Sequence, residues 1–396
     1  MSHTTTTTAL PERLYSLDVL RGIGALTIVI NHWPSFFFYQ PGGGELPLAF
    51  LLKPFYSNGW RAVDLFFCLS GFVFFWLYSE KISRRQVGGW SFSVLRFTRL
   101  YPLHLVTLLF VAVAHPLMAH IFGKYFICTG GTLGLFIMQL FFASGWFDNT
   151  VVSFNGPVWS VSVEIALYVS FFFLCRCRAV NWWLLLLYVG LGFYWTIHHW
   201  YFLGMARGVL SFFAGGLAFR AFETLLKNGR GFAYFKWLAV ATISLWVLVP
   251  LEVEKHFIIT GFQKISGSNF SSVEGGGKYL MRLSQAGYEL ILFPVTLCFL
   301  ALWETRRGTL GRRVAVLGDI SYSTYLLHFP LQMIFLLAAF WLGIPGTAFS
   351  SSLTLLLFFL VLIPLSVWSH NHFERPLQSF LRKKLLPATR SDSARA

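Results

Sequence analysis

Leu17-Asp-Val-Leu-Arg21-Gly-Ile-Gly-Ala-Leu-Thr-Ile-Val-Ile-Asn-His32 holds an arginine, ten residues without a charge, and then a histidine. The run is apolar enough to read as the first membrane-crossing helix. An ionisable group inside such a helix is costly, so each one is a functional-site candidate. A neutral imidazole is also suited to general-base work near physiological pH. The stretch therefore points to chemistry performed inside a bilayer.

Composition supports lipid as the solvent. Of 396 residues, 56% are hydrophobic and only 12% charged, with 44 Phe and 15 Trp. Soluble domains carry roughly 25% charged residues. The formal net charge is +15. In this setting basic residues act as topology signals and anion sites. With no basic low-complexity tail and no nucleic-acid motif, nucleic acid is not an expected partner. Cys68, Cys128, Cys175, Cys177 and Cys298 form no paired framework and no metal spacing, so they read as buried or membrane-edge thiols. No His/Cys/Asp/Glu grouping has metal-ligand spacing, so no metal is expected. The N-terminus, MSHTTTTTALPER, is polar and lacks the pattern of a cleavable signal peptide.

A helix needs about 20 apolar residues to cross the hydrocarbon core. Candidate spans fall at 22–39, 63–78, 100–122, 158–175, 180–201, 204–222, 232–251, 286–303, 318–342 and 348–369. An eleventh, 133–146, is short and glycine-flanked. Charge decides its status. With an inside N-terminus and 133–146 omitted, the clusters near 81–99, 176–178, 220–236, 306–313 and 375–384 all fall in the cytoplasm. That is the pattern of the positive-inside rule. Counting 133–146 as a span inverts every later helix and moves most of these clusters outside. The expected fold is thus an all-α polytopic membrane protein of about ten helices with both termini cytoplasmic. Segment 133–146 becomes an outer-face re-entrant or interfacial helix. Residues 40–61, 123–157 and 252–285 become outer loops, the last mobile around Gly275-Gly-Gly277. The expected layout is a polar cytoplasmic segment at 1–13, a membrane domain at 14–380 and a basic cytoplasmic tail at 381–396. No internal repeat is visible.

Several residues in this layout can carry chemistry. His32 lies about 16 Å beyond Arg21 along a helix, close to three turns, so the two share a face and can line one passage. The competing reading is a packing histidine with a snorkelling arginine. Arg96 and Arg99 are i,i+3 neighbours opening the third span, preceded by Arg84 and Arg85. Paired guanidinium groups at a helix start can grip phosphate, or simply anchor topology. Asp64 and Glu164 are acids within apolar runs. Glu164 suits contact with a hydroxyl, orientation of His32, or an ion pair with an arginine. Ser321, Tyr325 and His328 form one polar stripe that brings His328 to the level of His32. The remaining histidines noted, at 115, 120, 198, 199, 370 and 372, sit at span ends and read as interfacial. Trp33, Phe36, Phe37, Phe38, Tyr39 and Trp60 read as an interfacial aromatic belt or as sugar-stacking surfaces.

Six segments together resemble the acyltransferase-3 family of integral-membrane O-acyltransferases. They are Leu17 through His32; Val63-Asp64-Leu-Phe-Phe through Ser70-Gly71; Arg96 to Pro102; Trp159-Ser-Val-Ser-Val-Glu164; Ile320 through Pro330; and Phe373-Glu-Arg-Pro376. They occur in family order over nearly the whole chain. The resemblance implies acyl transfer from cytoplasmic acyl-CoA, most often acetyl-CoA, to a hydroxyl of an acceptor at the outer face, such as a cell-surface glycan. It implies a multi-pass protein of the plasma (inner) membrane. It carries the activity-bearing roles to Arg21 and His32 and the donor-binding role to Arg96 and Arg99. Some members add an esterase-like domain, and this chain is expected to consist of the membrane domain alone.

On that reading, Arg96 and Arg99, with Arg84 or Arg85, hold the CoA phosphates, and the pantetheine arm passes Arg21 to bring its thioester to His32. His32 acts as general base or forms an acyl-histidine, with Arg21 at the mouth of the passage and Glu164 as a further catalytic candidate that could orient His32. Asp64, Trp159 and His328 are the candidates for contact with the acceptor. Asn31, Ser70 or His328 would stabilise the oxyanion. The competing function is a transporter or flippase without acyl chemistry, which predicts repeats that the sequence lacks.

Overall fold

Pro34 decides where the first helix stops. Proline cannot donate to the turn before it and restricts the residue ahead of it. Helix α1 accordingly spans Tyr15–Asn31, with His32 as its C-cap and a 3₁₀ turn over Trp33–Phe37. The expected 22–39 span therefore starts earlier and ends earlier. The early start is possible because the charges of its first turns are matched: Asp18 pairs with Arg21 at 3.3 Å and with Arg13 at 2.8 Å.

The computed structural model describes residues 11–39, 44–128, 130–146, 153–198, 203–228, 233–257, 260, 261, 264 and 276–386. The expectations for residues 1–10, Gly275, His199, Arg230 and the tail beyond 386 lie outside these. Among the described residues all regular structure is helical. After α1 come α2 (Ala49–Asn58), α3 (Ala62–Ser83), α4 (Gly89–Phe122), α5 (Leu133–Leu140), α6 (Val158–Arg176), α7 (Trp182–His198), α8 (Leu203–Lys227) and α9 (Phe235–Lys255). They are followed by α10 (Gly276–Gly287), a π turn at Tyr288–Leu292, α11 (Phe293–Arg307), α12 (Val316–Asp319), α13 (Ser321–Trp341) and α14 (Ser352–Trp368). A second π turn, Ser369–Glu374, leads into α15 (Arg375–Leu385).

Eight of these helical stretches are long and apolar enough to cross a membrane, and each coincides with an expected span. The first and fifth expected spans correspond to α1 and α7, of 17 residues each. The protein is an all-helical, multi-pass membrane protein. Helix α5, eight residues and so about 12 Å long, is too short to span. Gln139 pins it by donating to the Ser153 and Asn155 carbonyls at 2.9 and 3.0 Å.

Two expectations about loops are corrected. Residues 49–61 are helical, not loop, because Asn31 on α1 donates to the Tyr56 carbonyl at 2.7 Å and docks α2. Residues 276–287 form α10, which runs into the π turn. Helix α15 runs through residues 375–385, and its end is held to α4 by Trp90 Nε1 donating to the Leu385 carbonyl at 2.9 Å.

Lipid offers no hydrophobic force between helices, so close packing must hold them together. Helices α3 and α8 meet backbone to backbone. A methyl group on Gly71 would lie 1.8 Å from the Phe212 carbonyl oxygen, and one on Gly215 1.8 Å from that of Cys68. Around this contact Phe72, Phe75, Phe171, Phe212 and Phe213 interlock. A second core joins the end of α1 to α4, α13 and α14. There Trp33 and Phe36 are fully buried, and Phe36 stacks on Phe349 at 4.4 Å. These rings are packing elements, neither an interfacial belt nor free sugar platforms.

Candidate active site

Arg21 stands where two cavities meet. The α1 backbone is pressed against α12, since a methyl group on Gly318 would lie 2.2 Å from the Asp18 carbonyl oxygen. This fixes the turn that carries Arg21. The outer cavity, about 520 Å³, is a vestibule rich in arginines: Arg13, Arg21, Arg96, Arg99, Arg375 and Arg382. The inner cavity, about 180 Å³, is a mostly apolar slot between α3, α4, α6 and α13. Phe66, Val73 and Phe74 line it together with Ser70, Ser160 and Glu164. Arg21, Arg96, Arg99, Tyr78 and Tyr322 belong to both walls, so the slot opens from the floor of the vestibule.

Charge in the vestibule is unbalanced. Asp18 is taken by Arg13 and Arg21, and Asp319 by Arg13 at 2.7 Å. Glu374 accepts from Ser323 at 2.6 Å and Ser369 at 2.8 Å. Arg96 leans on Phe74 and Tyr78, each ring 4.9 Å away, and donates to the Tyr78 hydroxyl at 2.7 Å. Among the described residues no carboxylate lies within ion-pair distance of Arg96, Arg99 or Arg382. Unmatched guanidinium groups around a cavity make a receptor for a polyanion.

Tyr325 lines the slot; its hydroxyl lies 2.7 Å from Ser160 Oγ and donates to the Pro157 carbonyl at 2.9 Å. One turn further along α13 sits His328, its ring 5.9 Å from that of Tyr325. His328 is buried, and its Nε2 lies 2.9 Å from Nδ1 of the half-buried His32. The two rings are nearly parallel, at 11°. Gln332, one turn beyond His328, donates to the His32 carbonyl at 2.9 Å. The helix end that presents His32 is thus held twice by α13. One proton lies between the two imidazoles. If it resides on His32 Nδ1, then His32 Nε2 keeps a lone pair, the arrangement of a base oriented by a second group.

A family model described as an acyltransferase domain matches residues 14–371. The chain belongs to the acyltransferase-3 family. It is 36% identical over 118 residues to "Protein 2 in picA locus" of Rhizobium radiobacter, covering 30% of this chain and 48% of that protein. It is 34% identical over 171 residues to "Acyltransferase MdmB" of Streptomyces mycarofaciens, covering 40% of this chain and 38% of that protein. The chain thus spans less than half the length of each of these relatives. No solved structure matches it.

Within this family member, Arg21, Arg96, Arg99 and Glu164, singled out from sequence, converge on the slot, together with Ser70, Ser321 and Tyr325 of the same reading. His32 and His328 form a pair of their own beyond Tyr325, so Arg21 and His32 do not line one continuous cavity. Tyr325 lines the slot, and its ring adjoins that of His328 at 5.9 Å on the side of the histidine pair. Arg84 and Arg85 stay outside both cavity walls; Arg84 pairs with Glu80 at 2.5 Å on an exposed face. Asn31 is committed to the α2 backbone.

Asp64 and Trp159 line neither cavity. Asp64 is buried and takes both arms of Arg207, at 2.9 and 2.8 Å, with Glu289 3.9 Å from the same guanidinium. Arg207 also lies 4.5 Å from the Trp60 ring and 5.9 Å from that of Trp159. The sequence reading missed Arg207, Glu289 and Gln332. Arg207 and Glu289 are charges inside apolar runs, and Gln332 follows His328 at i+4, so each carried a readable signal. His115 is buried in the second core instead of at an interface. Among the described residues no group of three or more His, Cys, Asp or Glu could hold a metal ion.

Proposed function

We propose that this protein is an acyl-CoA-dependent O-acyltransferase of the plasma membrane, moving an acyl group, most simply acetyl, to a hydroxyl of an extracytoplasmic glycan. One observation carries the reading: an arginine-rich vestibule opens into a mostly apolar slot, one wall residue of which, Tyr325, adjoins a histidine pair. A polyphosphate with a thin, uncharged arm ending in a thioester matches that sequence of surfaces. The positive-inside distribution supports a vestibule on the cytoplasmic side.

Arg96 and Arg99 hold the phosphates, and Arg21 lies where the arm enters the slot. Passage of the acyl end beyond Tyr325 brings it to His32. There His32 Nε2 takes the proton of the acceptor hydroxyl as its oxygen attacks the thioester carbonyl. The tetrahedral intermediate collapses with cleavage of the carbon–sulfur bond, and the imidazolium returns the proton to the departing thiolate. His328 holds the imidazole in the productive tautomer and is a positioning residue in this scheme. Glu164 remains in the slot wall, beside Arg21 and Tyr168.

The test uses inside-out membrane vesicles given radiolabelled acetyl-CoA, with label followed into the glycan fraction. His32→Ala is expected to lower incorporation by about 10²–10⁴-fold, the usual contribution of a positioned proton transfer. CoA binding to the purified variant should persist. Undiminished glycan labelling by His32→Ala would remove histidine from the reaction.

A further inference from the structure

Helix α15 does more than close the vestibule. Its residues Arg375, Gln378 and Arg382 follow at i, i+3 and i+7, one helical face, and all three line the cavity. They lie beyond residue 371, where the family match stops. The helix is locked in place along α4, the helix of Arg96 and Arg99. Trp90 holds the Leu385 carbonyl, and Arg382 Nε donates to the Thr98 hydroxyl at 3.4 Å. That contact uses one of five guanidinium N–H donors. The others have no carboxylate within reach among the described residues, and Arg382 stands in the field of Arg96 and Arg99.

The two cavities also order the arginines along the donor. Arg21, Arg96 and Arg99 line both slot and vestibule, whereas Arg375 and Arg382 line the vestibule alone. In an acyl-CoA threaded thioester-first, the pyrophosphate follows the arm, and the ribose with its 3′-phosphate comes last. We propose that Arg382, on the docked face of α15, binds the 3′-phosphate of the donor's nucleotide end. The arginines at the slot mouth hold its pyrophosphate. The assignment rests on the acyl-CoA reading above and extends it by a specific contact.

The experiment compares CoA with dephospho-CoA, which lacks only the 3′-phosphate, on the full-length protein in detergent. Wild type is expected to bind CoA about tenfold or more tighter, the scale of a lost charge-assisted contact. Arg382→Ala should erase that preference by weakening CoA binding while leaving dephospho-CoA binding unchanged. Arg382→Lys should keep part of it. Lys383→Ala, an exposed charge on the same helix, controls for loss of charge alone, and melting temperatures confirm that each variant is folded. A variant that keeps the preference, or that weakens both ligands equally, overturns the assignment. If wild type binds neither ligand, the donor reading falls and the assignment with it.

Discussion

Two groups of arginines occupy the interior of this membrane protein, and they are built on opposite plans. Around Asp64 the charges are matched: Arg207 spans both carboxylate oxygens, Glu289 stands behind it, and Arg61 rests between the rings of Trp60 and Tyr288. Around the vestibule Arg96, Arg99 and Arg382 share a wall with Glu12, Asp18, Asp319 and Glu374, yet among the described residues none of the three arginines has a carboxylate within ion-pair distance. A matched buried charge ties helices together. A clustered, unmatched charge is costly until something anionic arrives, so it marks where a ligand goes. Burial alone does not separate structure from function here; the presence of a counter-ion does.

The sharpest way to break this contrast is Asp64→Ala. It removes the two-armed partner of Arg207, leaving Glu289 at 3.9 Å as its remaining carboxylate, and is expected to cost up to about 3–5 kcal/mol, read as a drop in melting temperature in detergent. Asp64→Leu combined with Arg207→Met should recover most of that loss. A single variant as stable as wild type would mean that the matched cluster holds nothing together. Arg99→Ala should behave in the opposite way. It relieves repulsion, so the melting temperature holds or rises, while CoA affinity falls about tenfold or more. Raising the ionic strength divides the two groups more gently. On the proposed donor reading, screening is expected to weaken CoA binding at the open vestibule and to leave the buried Asp64–Arg207 pair almost untouched, which parallel titrations and melts would resolve. The smallest effect belongs to Arg84→Ala. Its exposed i,i+4 pair with Glu80 is worth at most about 0.5 kcal/mol, and CoA binding should not change. Weaker CoA binding in that variant would extend the phosphate site beyond the cavity.

The helices were readable because lipid demands long apolar runs, and eight such runs are helices here. Short elements were harder. Helix α2 holds only ten residues, includes Lys53 and Pro54, and forms against Asn31, a contact no local pattern announces. Within the site, Arg21, Arg96, Arg99 and Glu164 stood out because intramembrane charge is rare. The same rarity applied to Arg207, but it reads as a partner only when Asp64 is brought to it across 143 residues. His328 was legible as a candidate partner of His32 from its depth along α13. That it meets Nδ1, with Gln332 holding the backbone beside it, needed three dimensions. The vestibule face of α15 was hidden because its arginines look like an ordinary basic tail.

The close packing of Gly71 on the Phe212 carbonyl, and of Gly215 on that of Cys68, has a bearing on how the protein is made. Ribosomes extend a chain at roughly 5–20 residues per second, so α3 enters the bilayer on the order of ten seconds before its glycine partner on α8 exists. Until then the groove at Gly71 faces lipid or another protein, and the slot wall carrying Ser70 is unsupported on that side. Biogenesis of this protein therefore includes an interval in which the Gly71 face of α3 lacks its native packing partner. A bulkier residue at either glycine would fail at that assembly step, before any substrate is met.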